Sequence, residues 1–194
     1  DDVQTGLLGA SHLLALGHRR IAFLLLDLDL GNNRLRLAGI KTALDEYDCD
    51  PDQCWIKTDL TDRPGGKQYV KELMSLPANE RPTAIFAPQT ILADAVMRAI
   101  YEAGLRIPED ISVIGYTAVD DPDFTSIKVP LDEIARQATV HLLKLLGSEK
   151  DTARLPDKPI AVTLIDSGST APPPDTSDSR RRRNGDGEID SGVG

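Results

Sequence analysis

Apolar positions along this chain alternate between two spacings, and the alternation predicts its layout. Val3, Leu7, Leu8, Ser11, Leu14 and Ala15 recur at intervals that share one helix face, so residues 2–16 read as an amphipathic helix. Gly17 follows where a helix end favours a left-handed residue, and His18, Arg19 and Arg20 stand at the negative end of that helix's dipole. Ile21 to Leu26 is an unbroken apolar run of strand length, the pattern of a strand covered on both faces. A second helix fits Asn33 to Glu46, a short strand Trp55 to Asp59, and a third helix Gln68 to Ser75 behind Gly65 and Gly66. Pro82 introduces a buried strand, Thr83 to Ala87. Thr90 is expected to cap a helix from Ile91 to Ala103 that Gly104 ends. A turn at Pro108-Glu109-Asp110 leads into a third buried strand, Ile111 to Tyr116, followed by an irregular or extended stretch from Asp120 to Pro130. Leu131 to Leu146 reads as a strong helix closed by Gly147, and Ile160 to Ile165 as a last strand.

Buried strands alternating with helices predict an α/β fold, a doubly wound and mostly parallel sheet with helices on both faces. Ligands of such sheets sit beyond the carboxyl ends of the strands. That rule gathers Asp27–Asn33, Asp59–Asp62, Pro88–Thr90 and Thr117–Asp121 around one crevice. From Ala171 onward the composition turns to Pro, Ser, Asp, Arg and Gly, which predicts a disordered tail. Arg180 to Arg183 are outnumbered there by five acids, so the run reads as solvated tail and not as a nucleic-acid arm.

Composition narrows the function. Of 194 residues, 40% are hydrophobic and 27% charged, values of a globular domain, while aromatics at 4% leave the core to Leu, Ile, Val and Ala. A net charge of -9 repels phosphate backbones, so these residues are not expected to bind nucleic acid on their own. No apolar run approaches the roughly 20 residues of a membrane span, and no signal peptide opens the sequence. The chain starts without methionine and reads as a fragment or a processed chain, expected in the cytoplasm. Cys49 and Cys54 lack further ligands for a metal site and read as reduced thiols; a local disulfide would suit an exported chain. His12, His18 and His141 have no nucleophile at a recognisable spacing, and no phosphate-binding glycine loop is present. Asp27 and Asp29 flank Leu28 without a third oxygen ligand and read as a solvated loop. No enzyme activity, cofactor or metal is therefore expected.

Six strings, in one order, carry a family resemblance. ALGHRRIAFL (residues 15–24), RLRLAGIKTAL (34–44), RPTAIFA (81–87), MRAIYEAGLRIPEDISVIGY (97–116), FTSIKVP (124–130) and DSGSTAPP (166–173) resemble the effector domain of lactose/galactose-repressor (LacI/GalR-type) transcriptional regulators. The resemblance implies a type I periplasmic-binding-protein-like core with one lobe largely complete and the other mostly missing. It implies a distal effector-binding lobe at 1–130, the returning helix and final strand of the sensor core at 131–173, and a disordered tail at 174–194. With most of the proximal lobe missing, the apolar face of the 131–146 helix is expected to be orphaned, and to aggregate, pack back or bind a partner chain.

Arg36 aligns with the family's pocket arginine, whose planar fork of donors suits vicinal hydroxyls, a carboxylate or a phosphate. Asn32 is expected to add an amide contact, and the resemblance implies that Leu60 falls near where some family members place an aromatic pocket wall. Gln89-Thr90 replace the family's Asn-Asp, and Thr117 replaces its Asp after the Gly-Tyr pair. A pocket short of those carboxylates fits an anionic effector such as a phosphosugar, and equally fits a degenerate pocket without an effector. The resemblance further implies a homodimer formed through Val96, Met97, Ile100 and Tyr101 with the segment 121–126, and operator DNA reached only through a helix-turn-helix head outside these residues. The alternative within the same fold is a periplasmic-type sugar or solute receptor.

Overall fold

The computed structural model describes residues 1–29, 31–120, 122–146 and 158–174. Gly147, Asp121 of the expected dimer segment and residues 175–194 with Arg180–Arg183 lie outside the described residues, whereas Ala171, where a disordered tail was expected to begin, is hydrogen-bonded to His18 and Ser112. In chain order the elements are α1 (Asp2–Ala15), β1 (Ile21–Leu26), α2 (Gly31–Glu46), a 3-10 turn (Pro51–Gln53), β2 (Trp55–Leu60), α3 (Arg63–Ser75), β3 (Ala84–Phe86), α4 (Thr90–Glu102), β4 (Ser112–Thr117), β5 (Ser126–Lys128), α5 (Leu131–Leu146) and β6 (Thr163–Ile165).

Several boundaries differ from the sequence reading: α2 begins at Gly31, the last strand shortens to Thr163–Ile165, and three further differences have a clear physical cause. Helix α3 starts before its glycines, because the Asp62 carboxylate accepts from Gly65 N at 2.8 Å and Pro64 suits a first turn. Gln89, not Thr90, is the residue at the α4 cap; the Thr90 hydroxyl donates instead to Tyr116 O at 3.0 Å, tying α4 to β4. The stretch read as irregular or extended contains β5, which pairs in parallel with β4.

The sheet runs β2-β1-β3-β4-β5-β6, parallel except for β6, which is antiparallel to β5. The chain leaves β1 to one side for β2 and returns to the other side for β3. The strand order therefore reverses between β1 and β3, and beyond the carboxyl ends of such strands lies the place where sheets of this kind take ligands. Both faces of β1 are covered, which explains its continuous apolar run. Ile21, Phe23 and Leu25 pack with Leu13, Leu14, Ile40 and Leu44 of α1 and α2. Ala22 and Leu24 pack with Val70, Leu73, Leu92 and Val96 of α3 and α4.

Two glycines let α1 and α2 touch. A Cβ on Gly6 would stand 1.9 Å from Arg36 O, and one on Gly39 would stand 2.0 Å from Val3 O. Backbone therefore meets backbone at this crossing, and the N-terminal end of α1 is drawn over the start of α2.

The segment after β6 returns along the amino ends of the strands. Ser169 O accepts from Val113 N at 2.9 Å, and Ser112 Oγ accepts from Ala171 N at 3.0 Å. His18, fully buried, joins this segment to the sheet: Nε2 donates to Ala171 O at 2.8 Å and Nδ1 meets Thr83 Oγ1 at 2.9 Å. Because a carbonyl only accepts, Nε2 carries the proton; the one Thr83 hydroxyl proton has both His18 Nδ1 and Arg20 O, at 3.2 Å, within reach. Burial pushes the His18 pKa down to about 4.

Helix α5 buries none of its residues; Leu142, Leu143, Leu145 and Leu146 are exposed. Between α5 and residues 158–160 lies a hollow of ≈ 300 Å³, lined by Ile134, Ala138, His141, Pro159 and Ile160 among others. Among the described residues, no helix is long and apolar enough to cross a membrane.

Candidate small-molecule site at the sheet switch point

Helix α2 follows β1 and the residues after β3 begin α4, so both helices start at the reversal of strand order. Asn33 and Arg36 stand three positions apart on α2 and share the face turned towards the crevice. Arg36 is 5% exposed. Its Nε donates to Asp2 Oδ1 at 2.8 Å and its Nη1 to Pro88 O at 2.6 Å. Its guanidinium carbon lies 4.7 Å from the centre of the Tyr116 ring, within cation–π reach. Four elements thus fix one side chain: the start of α1, α2, the loop after β3, and β4. The Tyr116 pKa is raised because the ring's burial outweighs the opposing pull of the Arg36 cation.

Gln89 and Asn33 form the second half of the arrangement. Gln89 Nε2 donates to Asn33 Oδ1 at 2.5 Å, and Asn33 Nδ2 donates to Asp27 O at 2.8 Å. Gln89 Oε1 is buried without a hydrogen-bond partner among the described residues. Such an acceptor costs free energy until a donor reaches it. Thr117 is buried at the end of β4, where its hydroxyl accepts from Val119 N at 3.1 Å.

Arg36 and Gln89 meet beyond β1 and β3 through Pro88 and Asn33, and Thr117 stands at the end of β4. Asn32, also expected at the site, is exposed, while its neighbour Asn33 is 1% exposed and turned inward. Both positions lie within one turn of Arg36, so the helical repeat allows either; packing against Gln89 selects Asn33. Leu60 is buried in the core cluster of α3 and α4, packed with Leu24 and Leu92 and their neighbours. Two participants were missed by sequence reasoning. The spacing to Arg36 admits Asn32 and Asn33 alike, so packing alone singled out Asn33. Asp2 was not legible either, because its approach depends on the glycine-mediated crossing of α1 and α2.

The dimer stripe splits in the same way. Val96 and Ile100 have no exposed surface and belong to the core under α4, which corrects their expected place at an interface. Their spacing of four puts both on the sheet-facing side. Met97 is half-buried, and Tyr101 is 61% exposed. Asp27 caps its own turn by accepting from Asp29 N at 2.9 Å, and Asp29 pairs with Arg34 at 3.2 Å on the surface. No cluster of three or more metal-ligating side chains occurs among the described residues.

Residues 10–170 match the family described as periplasmic binding protein-like domain. The HTH-type transcriptional repressor PurR of Aliivibrio fischeri is 30% identical over 154 residues, covering 77% of this chain and 45% of the relative. The ribose operon repressor of Haemophilus influenzae is 30% identical over 154 residues, covering 77% of this chain and 46% of the relative. Among solved structures, the LacI family transcriptional regulator from Enterococcus faecium with bound ribose superposes with a TM-score of 0.77 at 33% identity, over 89% of this chain and 64% of that one. A dimeric Lac repressor with an 11-residue C-terminal deletion gives 0.76 at 30% identity, over 89% and 63%. The chain belongs to the periplasmic binding protein-like domain family, in the branch used as effector domain by LacI-type transcriptional regulators. It spans about half the length of the curated relatives it matches.

Proposed function

We propose that this chain is the effector-sensing part of a bacterial LacI-type regulator, and that its crevice binds a neutral, polyhydroxylated small molecule. The observation that carries this reading is the convergence of Arg36, Asn33 and Gln89 at the switch point, where the fold presents polar groups to ligands. A crevice without carboxylates would suit an anionic effector. Asp2 supplies one, 2.8 Å from the Arg36 guanidinium, so an incoming phosphate would meet a cation already paired and an acid beside it. Hydroxyl groups can use the free Arg36 donors and offer a proton to Gln89 Oε1. The ribose bound by the Enterococcus faecium relative is of this chemical class.

Residues 1–130 would form the effector lobe and 131–173 the returning helix and last strand. The effector would act by favouring one arrangement of this lobe against a second lobe outside these residues, and so alter operator binding by a helix-turn-helix head also outside them. The protein would act by binding and not by catalysis, in the cytoplasm, as a homodimer whose α4 contact uses Met97 and Tyr101. A periplasmic receptor role has no comparable support, since the curated relatives named above are repressors.

Titration calorimetry on the full-length protein tests the site. Ribose and other neutral aldoses should bind, and ribose 5-phosphate should bind at least tenfold more weakly. Arg36→Met should weaken the sugar at least tenfold, about 1.4 kcal/mol. Tighter binding of the phosphate would sink the neutral class. Unchanged affinity in the Arg36 variant would sink the site itself.

A further inference from the structure

We propose that Cys49 and Cys54 form a reversible disulfide within the folded chain, an oxidisable site on the end of the sheet opposite the crevice. The two residues are held by separate, fully bonded turns. Asp48 adopts φ 48°, in the left-handed region, and reverses the chain at the end of α2, where Cys49 N donates to Leu44 O at 2.9 Å. Asp50 then caps the 3-10 turn by accepting from Asp52 N at 3.0 Å, and Cys54 N donates to Pro51 O at 3.0 Å. The outcome is that both thiols donate to one acceptor, Arg19 O, from 3.7 Å for Cys49 and 3.4 Å for Cys54. Two sulfurs bonded to the same oxygen are held beside each other before any oxidant arrives.

The surroundings favour this chemistry over metal binding. No third ligand joins the pair among the described residues. Burial, with the nearby Cys49 thiol adding to it, pushes the Cys54 pKa up to about 12, so the pair rests as thiols at neutral pH and reacts slowly. Cys49 is buried and Cys54 partly exposed, which sets an order of events with a small disulfide such as oxidised glutathione. Cys54 loses its proton and its sulfur attacks the oxidant, forming a mixed disulfide and releasing one glutathione thiolate. Cys49 then loses its proton and attacks the Cys54 sulfur, and the second glutathione leaves. Two protons and two electrons pass from the protein to the oxidant, which becomes two glutathione thiols. The new bond ties the end of α2 to the start of β2, the edge strand, while Asn33 and Arg36 stand at the other end of the same helix.

The test is a thermodynamic comparison on the whole chain. The protein is equilibrated in glutathione buffers of graded ratio, without denaturant and in concentrated urea, then quenched in acid and digested with trypsin. Residues 42–57 contain both cysteines in one tryptic peptide. The expected product is that peptide lighter by two hydrogens, with the folded chain favouring it at least tenfold over the unfolded chain. A smaller preference, or glutathione adducts that persist at equilibrium on the folded chain, overturns the proposal.

Discussion

Asp2 and Arg36, 34 positions apart, form an ion pair of 2.8 Å in which the arginine side chain is 6% exposed and the aspartate 32%. The pair joins the first turn of α1 to the face of α2 that carries the crevice residues, and it sets the charge of that crevice. A buried guanidinium without its carboxylate is costly, so Asp2→Asn should lower stability by about 1–2 kcal/mol in urea unfolding. The same change frees the Arg36 fork and should increase affinity for inorganic phosphate. Unaltered stability and unaltered phosphate binding together would mean that the pair has no role.

The close crossing of α1 and α2 should be intolerant of a methyl group. Gly39→Ala places a carbon 2.0 Å from a backbone oxygen, and neither backbone can yield without moving its helix. A loss of about 2–3 kcal/mol is expected, as for overpacked cores. The displacement should also pull Asp2 away from Arg36. Denaturation of Gly39→Ala, Asp2→Asn and the double variant would then give less than the sum of the single losses.

Stability should fall with acid because of His18. Its pKa in the fold is pushed down to about 4, below the ordinary value of 6.5. Between those values the unfolded chain takes up a proton that the folded chain refuses, so stability is full above pH 6.5 and lost as the pH falls towards 4. The loss attributable to this ring is at most about 3 kcal/mol. Asp166, whose pKa is lowered by the hydrogen bonds its carboxylate accepts from Gly168 N and the Thr125 hydroxyl, adds to the decline below its ordinary 3.8. Urea titrations at stepped pH should show a flatter profile for His18→Gln than for the parent chain, even though that variant is less stable at pH 7.

Helix α5 presents Leu142, Leu143, Leu145 and Leu146 to solvent. The pair Leu143→Lys and Leu146→Lys should change stability by less than about 0.5 kcal/mol, since surface positions contribute little. Self-association measured by sedimentation velocity should drop. A large loss of stability would show that the face is packed within the chain.

Much of this molecule was written in its local pattern. The run Ile21–Leu26 could only be a strand covered on both sides, and the helical phase of α1, α2 and α5 set their ends to within a few residues. Alternation of the two periods dictated a mostly parallel sheet, and the sheet rule directed attention to the loops beyond β1 and β3, where Arg36 and Gln89 stand. These features depend on neighbours in sequence, where period and capping chemistry act. Tertiary structure alone decided the partnerships across the chain. It put Asn33 and not Asn32 against Gln89, sent Val96 and Ile100 into the core, and brought Asp2 to Arg36 through a contact of two glycines. It also laid residues 169–171 against His18 and Ser112. Each of those choices follows from how closely two backbones approach and which face a helix turns to the sheet, quantities that packing sets and no local repeat encodes.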